Sequence, residues 1–181
     1  MANRYKKIIK ADQKNVDGGY KNVVLWAPRS SFTLLSMPSP GNSPTSGDSL
    51  KITADHTFGV ADGFISWLCK KDSVTIKGTS EGEAGAKSMV WTAEFILLGD
   101  SASTQEQLED QLNDDVVALF KDSNCLQATD YTQLGDDCNN PEFSVEFDGK
   151  TTASGLKEYK VTMKCKKKGK YFYSGTVDEK P

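Results

Sequence analysis

The sequence predicts a mainly β protein: an antiparallel β-sandwich or barrel with one flanking α-helix, at about residues 103–113, and long loops. Several stretches alternate apolar and polar residues with period two, which places every second side chain on one face of a strand. Gly, Pro, Ser and Asp separate these stretches as turn residues do. A helix-start signal occurs once. At 181 residues the chain reads as a single β-rich domain, 1–181, with an N-terminal arm and extended loops at 37–49 and 78–87.

The short runs "KNVVLWAP", "SFTLLSM", "GFISWLC" and "SVTIKGT" are strands, each ended by Pro, Gly, Lys or Asp. "SLKITADHTF" sets Leu50, Ile52, Ala54, His56 and Phe58 on one face and Lys51, Thr53, Asp55 and Thr57 on the other. "SMVWTAEFILLG" is apolar in both phases, with Met89, Trp91, Ala93, Phe95 and Leu97 in one and Val90, Thr92, Ile96 and Leu98 in the other. Such a strand is expected at the centre, covered on both sides.

In "DSASTQEQLEDQLNDD", Ser103 is the expected N-cap, with Glu106 three residues on completing a capping box and Leu108 and Leu112 facing inward. The helix is expected to reach about Asn113, and the β-branched "VVALF" to form a strand from about Asp115 into the turn "KDSN". "EFSVEFDG" is expected to point Phe143, Val145 and Phe147 inward. "KEYKVTMKC" repeats the scheme, and "KYFYSGTV" follows the basic turn "KKKGK", so the C-terminal third reads as two antiparallel ribbons.

No stretch reaches the apolar length of a membrane helix, and "MANRYKKIIKADQKN" has a basic start without the apolar block of a signal peptide, so synthesis in the cytosol is expected. Cys69, Cys125, Cys138 and Cys165 form no CxxC pair and His56 is the sole imidazole, which argues against a zinc site. Cys165 continues an apolar alternation as a buried thiol. No metal or cofactor is expected.

Gly78-Thr79-Ser80-Glu81-Gly82 has the letters of a nucleophile elbow. That motif needs a helix directly after the serine and a later histidine as base. Gly82 and Gly85 break the would-be helix, and His56 precedes Ser80 in an apolar strand phase, where a satisfied core imidazole is the better reading. There is no GxGxxG opening a helix, no GxxxxGK[ST] and no HExxH. The pairs Asp114-Asp115 and Asp136-Asp137 lack the calcium-loop rhythm, and "GDDCNN" reads as a solvated turn. The chain is not expected to be an enzyme.

Charge is segregated along the chain. From Asp100 to Asp148 there are thirteen acidic residues against Lys121 alone, whereas Lys150 to Lys170 holds eight lysines against Glu158. The first thirty residues carry seven basic and two acidic groups. Lys166, Lys167 and Lys168 form a basic hairpin tip. A solvated tip is its ordinary use, and nucleic-acid binding is disfavoured by the acidic balance, with a net charge of −3. Opposed patches also let copies meet head to tail, and such contacts close into rings or run on as filaments.

The succession "GEAGAKSMVWTAEFILLGD", "LEDQLNDD", "EFSVEFDGKTTASGLKEYKVTM" and "YFYSGTV" resembles tail-tube-like virion structural proteins of tailed bacteriophages. The resemblance spans most of the chain and implies a β-sandwich with a flanking helix. It implies hexameric rings with a continuous inner β lining, stacked through long loops and a terminal arm, and hence a place in the virion tail after synthesis in the host cytoplasm. Partners would be further copies of the chain and other tail proteins, with DNA passing through unbound. Pro38, Pro40 and Pro44 in one loop, and Gly78, Ser80, Glu81, Gly82 and Glu83 in the other, become candidate assembly contacts beside the three lysines. A head–tail connector or tail-terminator ring is the nearest alternative. From a different class, a small-molecule-binding β-barrel would line its pocket with Trp26, Trp67, Trp91 and the C-terminal tyrosines.

Overall fold

The structure, a computed structural model, describes residues 19–42, 45, 47–123, 131–151, 153, 155–166 and 169–180. In chain order the elements are β1 (Tyr20–Pro28), β2 (Phe32–Leu34), β3 (Lys51–Ile52), β4 (Thr57–Phe58), β5 (Ile65–Leu68), β6 (Thr75–Glu81) and β7 (Ser88–Leu98). Then come α1 (Ala102–Asp110), β8 (Val116–Asp122), β9 (Tyr131–Leu134), β10 (Glu142–Asp148), β11 (Glu158–Lys166) and β12 (Lys170–Tyr173). They form a β-sandwich with one helix. A six-stranded sheet, β3-β12-β9-β8-β1-β5, packs on a four-stranded sheet, β10-β11-β7-β6, and a β2-β4 ribbon, hydrogen-bonded to neither, packs through Phe32 and Phe58 on the other face of the six-stranded sheet. Every pair is antiparallel except β12 with β3.

The six-stranded sheet is the middle layer. Register puts Trp26, Ala118 and Leu134 in one row, facing Phe95, Val161 and Met163 of the smaller sheet. The next row, Leu25, Leu119, Gln133 and Tyr171, faces a second cluster with Phe32, Leu35, Ile52 and Phe64. Val116 to Phe120 are therefore all fully buried. At about 1.5–3 kcal/mol for each large apolar side chain, β8 is the strand the fold most depends on.

Several expectations are corrected here. The strand covered on both faces is β8, whereas β7 is interior to its sheet but buries only one phase fully beyond Val90. "SLKITADHTF" breaks into a 3-10 turn (Asp48–Leu50), β3 and β4, leaving Leu50 and Ala54 exposed. The N-cap is Ser101, not Ser103, and its side chain accepts the Thr104 amide at 3.2 Å, while the helical run reaches Asn113 as expected, with its last turn, Gln111–Asn113, 3-10. Of the two C-terminal ribbons, β10–β11 forms, but β12 crosses to the other sheet and pairs with β9 and β3. The strands on either side of "KKKGK" thus belong to different sheets and do not pair with each other. Cys165 is buried as expected, and burial pushes its thiol up to about 12.

Candidate functional site

The elbow-like letters have structural uses. Gly78, Ser80 and Glu81 lie in β6, paired with Trp91, Met89 and Ser88, so the expected loop from 78 shrinks to the turn between Glu81 and Ser88. A Cβ on Gly78 would come within 2.4 Å of the Trp91 ring, so this glycine lets the indole lie across β6. Gly82 has φ of 115°, and a Cβ there would meet the Ala86 carbonyl oxygen at 2.8 Å. Ser80 is exposed, and among the described residues no imidazole or carboxylate is hydrogen-bonded to its hydroxyl.

Lys166 ends β11 in the row of Val90 and Thr79, so it shares one end of the four-stranded sheet with Gly78–Glu83. Its ammonium meets Glu142 at 2.8 Å, and Lys164 reaches Glu81 at 3.8 Å. Pro38 and Pro40 belong to the loop after β2, whose neighbours Phe32 and Leu35 pack on the opposite face of the middle layer. The fold therefore separates the two loops. Pro44, Lys167 and Lys168 lie outside the described residues.

His56 is the satisfied core imidazole that its strand phase suggested. It is 2% exposed, stacks on Tyr173 with ring centroids 4.3 Å apart, and donates from Nε2 to Gln133 Oε1 at 2.9 Å, while Nδ1 accepts the Ser36 amide at 3.1 Å. Gln133 Nε2 donates to the Gly135 carbonyl at 2.9 Å. Burial holds the imidazole below its usual value. "GDDCNN" is not a plain solvated turn: Asp136 is 2% exposed and accepts from the Cys138 and Asn139 amides, Asn139 Nδ2 and the Tyr171 hydroxyl. Burial pushes this carboxyl up, but those hydrogen bonds outweigh it and hold it below the usual range. Asp137 pairs with Arg29 at 2.5 Å. Among the described residues no group of three or more His, Cys, Asp or Glu could hold a metal ion. No helix among them is long and apolar enough to cross a membrane.

The tryptophans offered as a pocket lining are packing groups. Trp26 and Trp67 are buried with centroids 5.0 Å apart, and Trp91 holds the Lys170 ammonium 4.7 Å from its ring. None of them lines the groove beside α1 or the shallower cavity over Cys138–Asn140 and Lys166.

Two surface features remain. The first is the outer face of the four-stranded sheet with its two unpaired edges. Glu81, Glu94, Glu142, Glu146, Asp148 and Glu158 share this face with Lys77, Lys160, Lys164 and Lys166. Lys160 and Lys77 hold Glu94 at 3.1 and 3.3 Å and depress its pKa. Among the described residues no strand pairs with the outer edge of β6 or of β10. Because each successive pair in the sheet is antiparallel, β6 and β10 run in opposite senses. The edge of one copy can thus add to the opposite edge of another and continue the alternation. The second feature is a groove of about 390 Å³ between α1 and the ends of β10 and β11.

No protein-family model, curated protein or solved structure matches the chain.

Proposed function

We propose that the chain is a phage virion structural protein, the major tail tube subunit, which assembles into hexameric rings that stack to form the DNA conduit. The observation that carries this reading is the four-stranded sheet with two edges of opposite sense that no described strand pairs with. A contact that joins β6 of one copy to β10 of the next is heterologous, and a heterologous contact closes into a ring when its rotation divides the circle. The ring then gains a continuous antiparallel lining without any strand changing direction.

The charge of the sheet's outer face supports the same reading. Its six carboxylates and four lysines are interspersed, and all four lysines are paired with carboxylates. Phosphate contacts by free Lys and Arg dominate DNA affinity, so a lining of this composition lets DNA slide past. A head–tail connector or tail-terminator ring would use the same edges and differ in the partner that it caps.

The test is negative-stain electron microscopy across a concentration series, joined to hydrogen exchange of the assembled and dissociated protein. Rings or tubes with a central hole are expected, with amides of Thr75–Glu81 and Glu142–Asp148 exchanging at least about tenfold more slowly in the assembly. Dispersed protomers at every concentration, or assembly with unchanged exchange at both edges, would overturn the proposal.

A further inference from the structure

The groove beside α1 joins apolar walls to negative charge that no described cation answers. Leu108, Val145 and Tyr159 form its floor, and Leu112 and Phe147 remain 45% and 51% exposed at its rim. Glu109 lines it and accepts from Gln105 Nε2 at 2.7 Å, and Glu106 and Asp110 lie on the same helix. Among the described residues none of these three carboxylates is paired with a cation, and Lys157 is taken up by Asp100 at 2.6 Å. The helix is lightly seated, since Leu108 is its one buried residue. An occupant that lays apolar side chains on this floor and cations beside the helix gains on both counts.

Such an occupant lies in the same chain. Residues 1–18 fall outside the described residues, and within them "RYKKIIK", 4–10, sets Tyr5, Ile8 and Ile9 among Arg4, Lys6, Lys7 and Lys10 without an acidic residue. The other long undescribed stretch, 124–130, contains no Lys or Arg. The segment also has the reach. Tyr20 starts β1 opposite Asp122, while α1 leads into β8 at Val116, so the groove lies roughly 26 Å along the strand and about 10 Å across the sandwich. From Ile8 to Gly19 the extended chain spans about 36 Å. A leash that just exceeds its span holds the segment at about millimolar effective concentration, so in micromolar solution the chain's own segment outcompetes a neighbour's.

We propose that the groove between α1 and β10 is occupied by residues 4–10 of the same chain, which cover Leu112 and Phe147 and fix the helix against the sandwich. The contact belongs to the single protomer and stands or falls independently of the tube reading.

The test uses the full chain with Ile8→Cys and Leu112→Cys, and with Cys125→Ser and Cys138→Ser to limit other pairings, oxidised while dispersed at about micromolar concentration. Equal parts of unlabelled and heavy-nitrogen-labelled copies are mixed first. Mass spectrometry then separates a link within one chain, of uniform isotope content, from a link between chains, of mixed content. The expected product joins residue 8 to residue 112 with uniform content, at a rate that dilution leaves unchanged and salt slows. Lys6→Glu, Lys7→Glu and Lys10→Glu together should slow it at least about tenfold, and adding Glu109→Lys with Asp110→Lys to that chain should restore it. A readout free of engineered cysteines is hydrogen exchange: deleting residues 1–14 should speed exchange at residues 104–110 at least about threefold and leave β8 unchanged. No link between residues 8 and 112, a link of mixed isotope content, a rate indifferent to the charge reversals, or unchanged exchange in α1 would overturn the proposal.

Discussion

Strand β8 lies between two packed layers, whereas β7, interior to the smaller sheet, is buried on one face and carries Thr92, Glu94 and Ile96 half-exposed on the other. Both are apolar runs in sequence, yet only one fills the middle of a three-layer stack. The difference shows where the molecule commits its apolar surface to stability and where it leaves a face free for contacts. The middle layer holds the fold, and the charged outer face of the smaller sheet is left uncovered by any described element.

The largest expected effect tests that division directly. Phe120→Ala removes a fully buried ring from the interface of the two sheets, with Phe95 6.4 Å and Tyr20 6.2 Å away between centroids, and should cost about 3–5 kcal/mol in urea unfolding. Phe147→Ala, at the groove rim, should cost under about 1 kcal/mol. Equal losses would erase the distinction between the two regions.

Next in size is the polar network on the far side of the middle layer. Gln133→Leu strands the His56 Nε2 proton and the Gly135 carbonyl and should cost about 1–3 kcal/mol. The same network sets a pH dependence. Burial depresses the His56 pKa, so below the usual imidazole value of about 6.5 the unfolded chain binds the extra proton and the folded one resists it. Stability is full above that pH and falls as pH drops through the folded value. Asp136, also depressed in the fold, extends the loss at lower pH. Urea midpoints measured from about pH 7 to about pH 5 should decline. A flat profile there would remove His56 as the cause.

What the sequence made legible follows from which residues act alone. The alternations "EFSVEFDG" and "KEYKVTMKC" state their strands because each side chain answers only to its own sheet, and the hairpin β10–β11 forms in the register they imply. "YTQL", which forms β9, carries no strand signal of its own, since Thr132 and Gln133 look like loop residues. They are buried because a tyrosine hydroxyl and an imidazole from distant segments meet them. "SLKITADHTF" misled for the complementary reason. Asp55 accepts the Thr176 amide and His56 meets Gln133, and those long-range partners bend the segment out of one strand. The candidate loops were legible as turn-rich stretches, but the groove joins a helix to strands forty residues away, and no local pattern announces it.

The smallest effect concerns the helix that forms one wall of that groove. Ser101 and Ser103 both precede an apolar stripe, and Glu106 makes Ser103 the better capping-box match in sequence. The hydroxyl of Ser101 is the one that accepts the Thr104 amide, and it also lies 2.8 Å from the Thr104 hydroxyl. Ser101→Ala should therefore cost about 1 kcal/mol, read as a lower urea midpoint at unchanged slope. Ser103→Ala, inside the first turn, should stay within about 0.5 kcal/mol. Because α1 buries only Leu108, its place against β10 depends more on that cap than on core packing. The Ser101 variant should loosen the groove wall before it unfolds the sandwich, which hydrogen exchange at residues 104–110 would report as faster opening with β8 unchanged. Equal sensitivity of β8 would mean that the helix and the middle layer unfold as one unit.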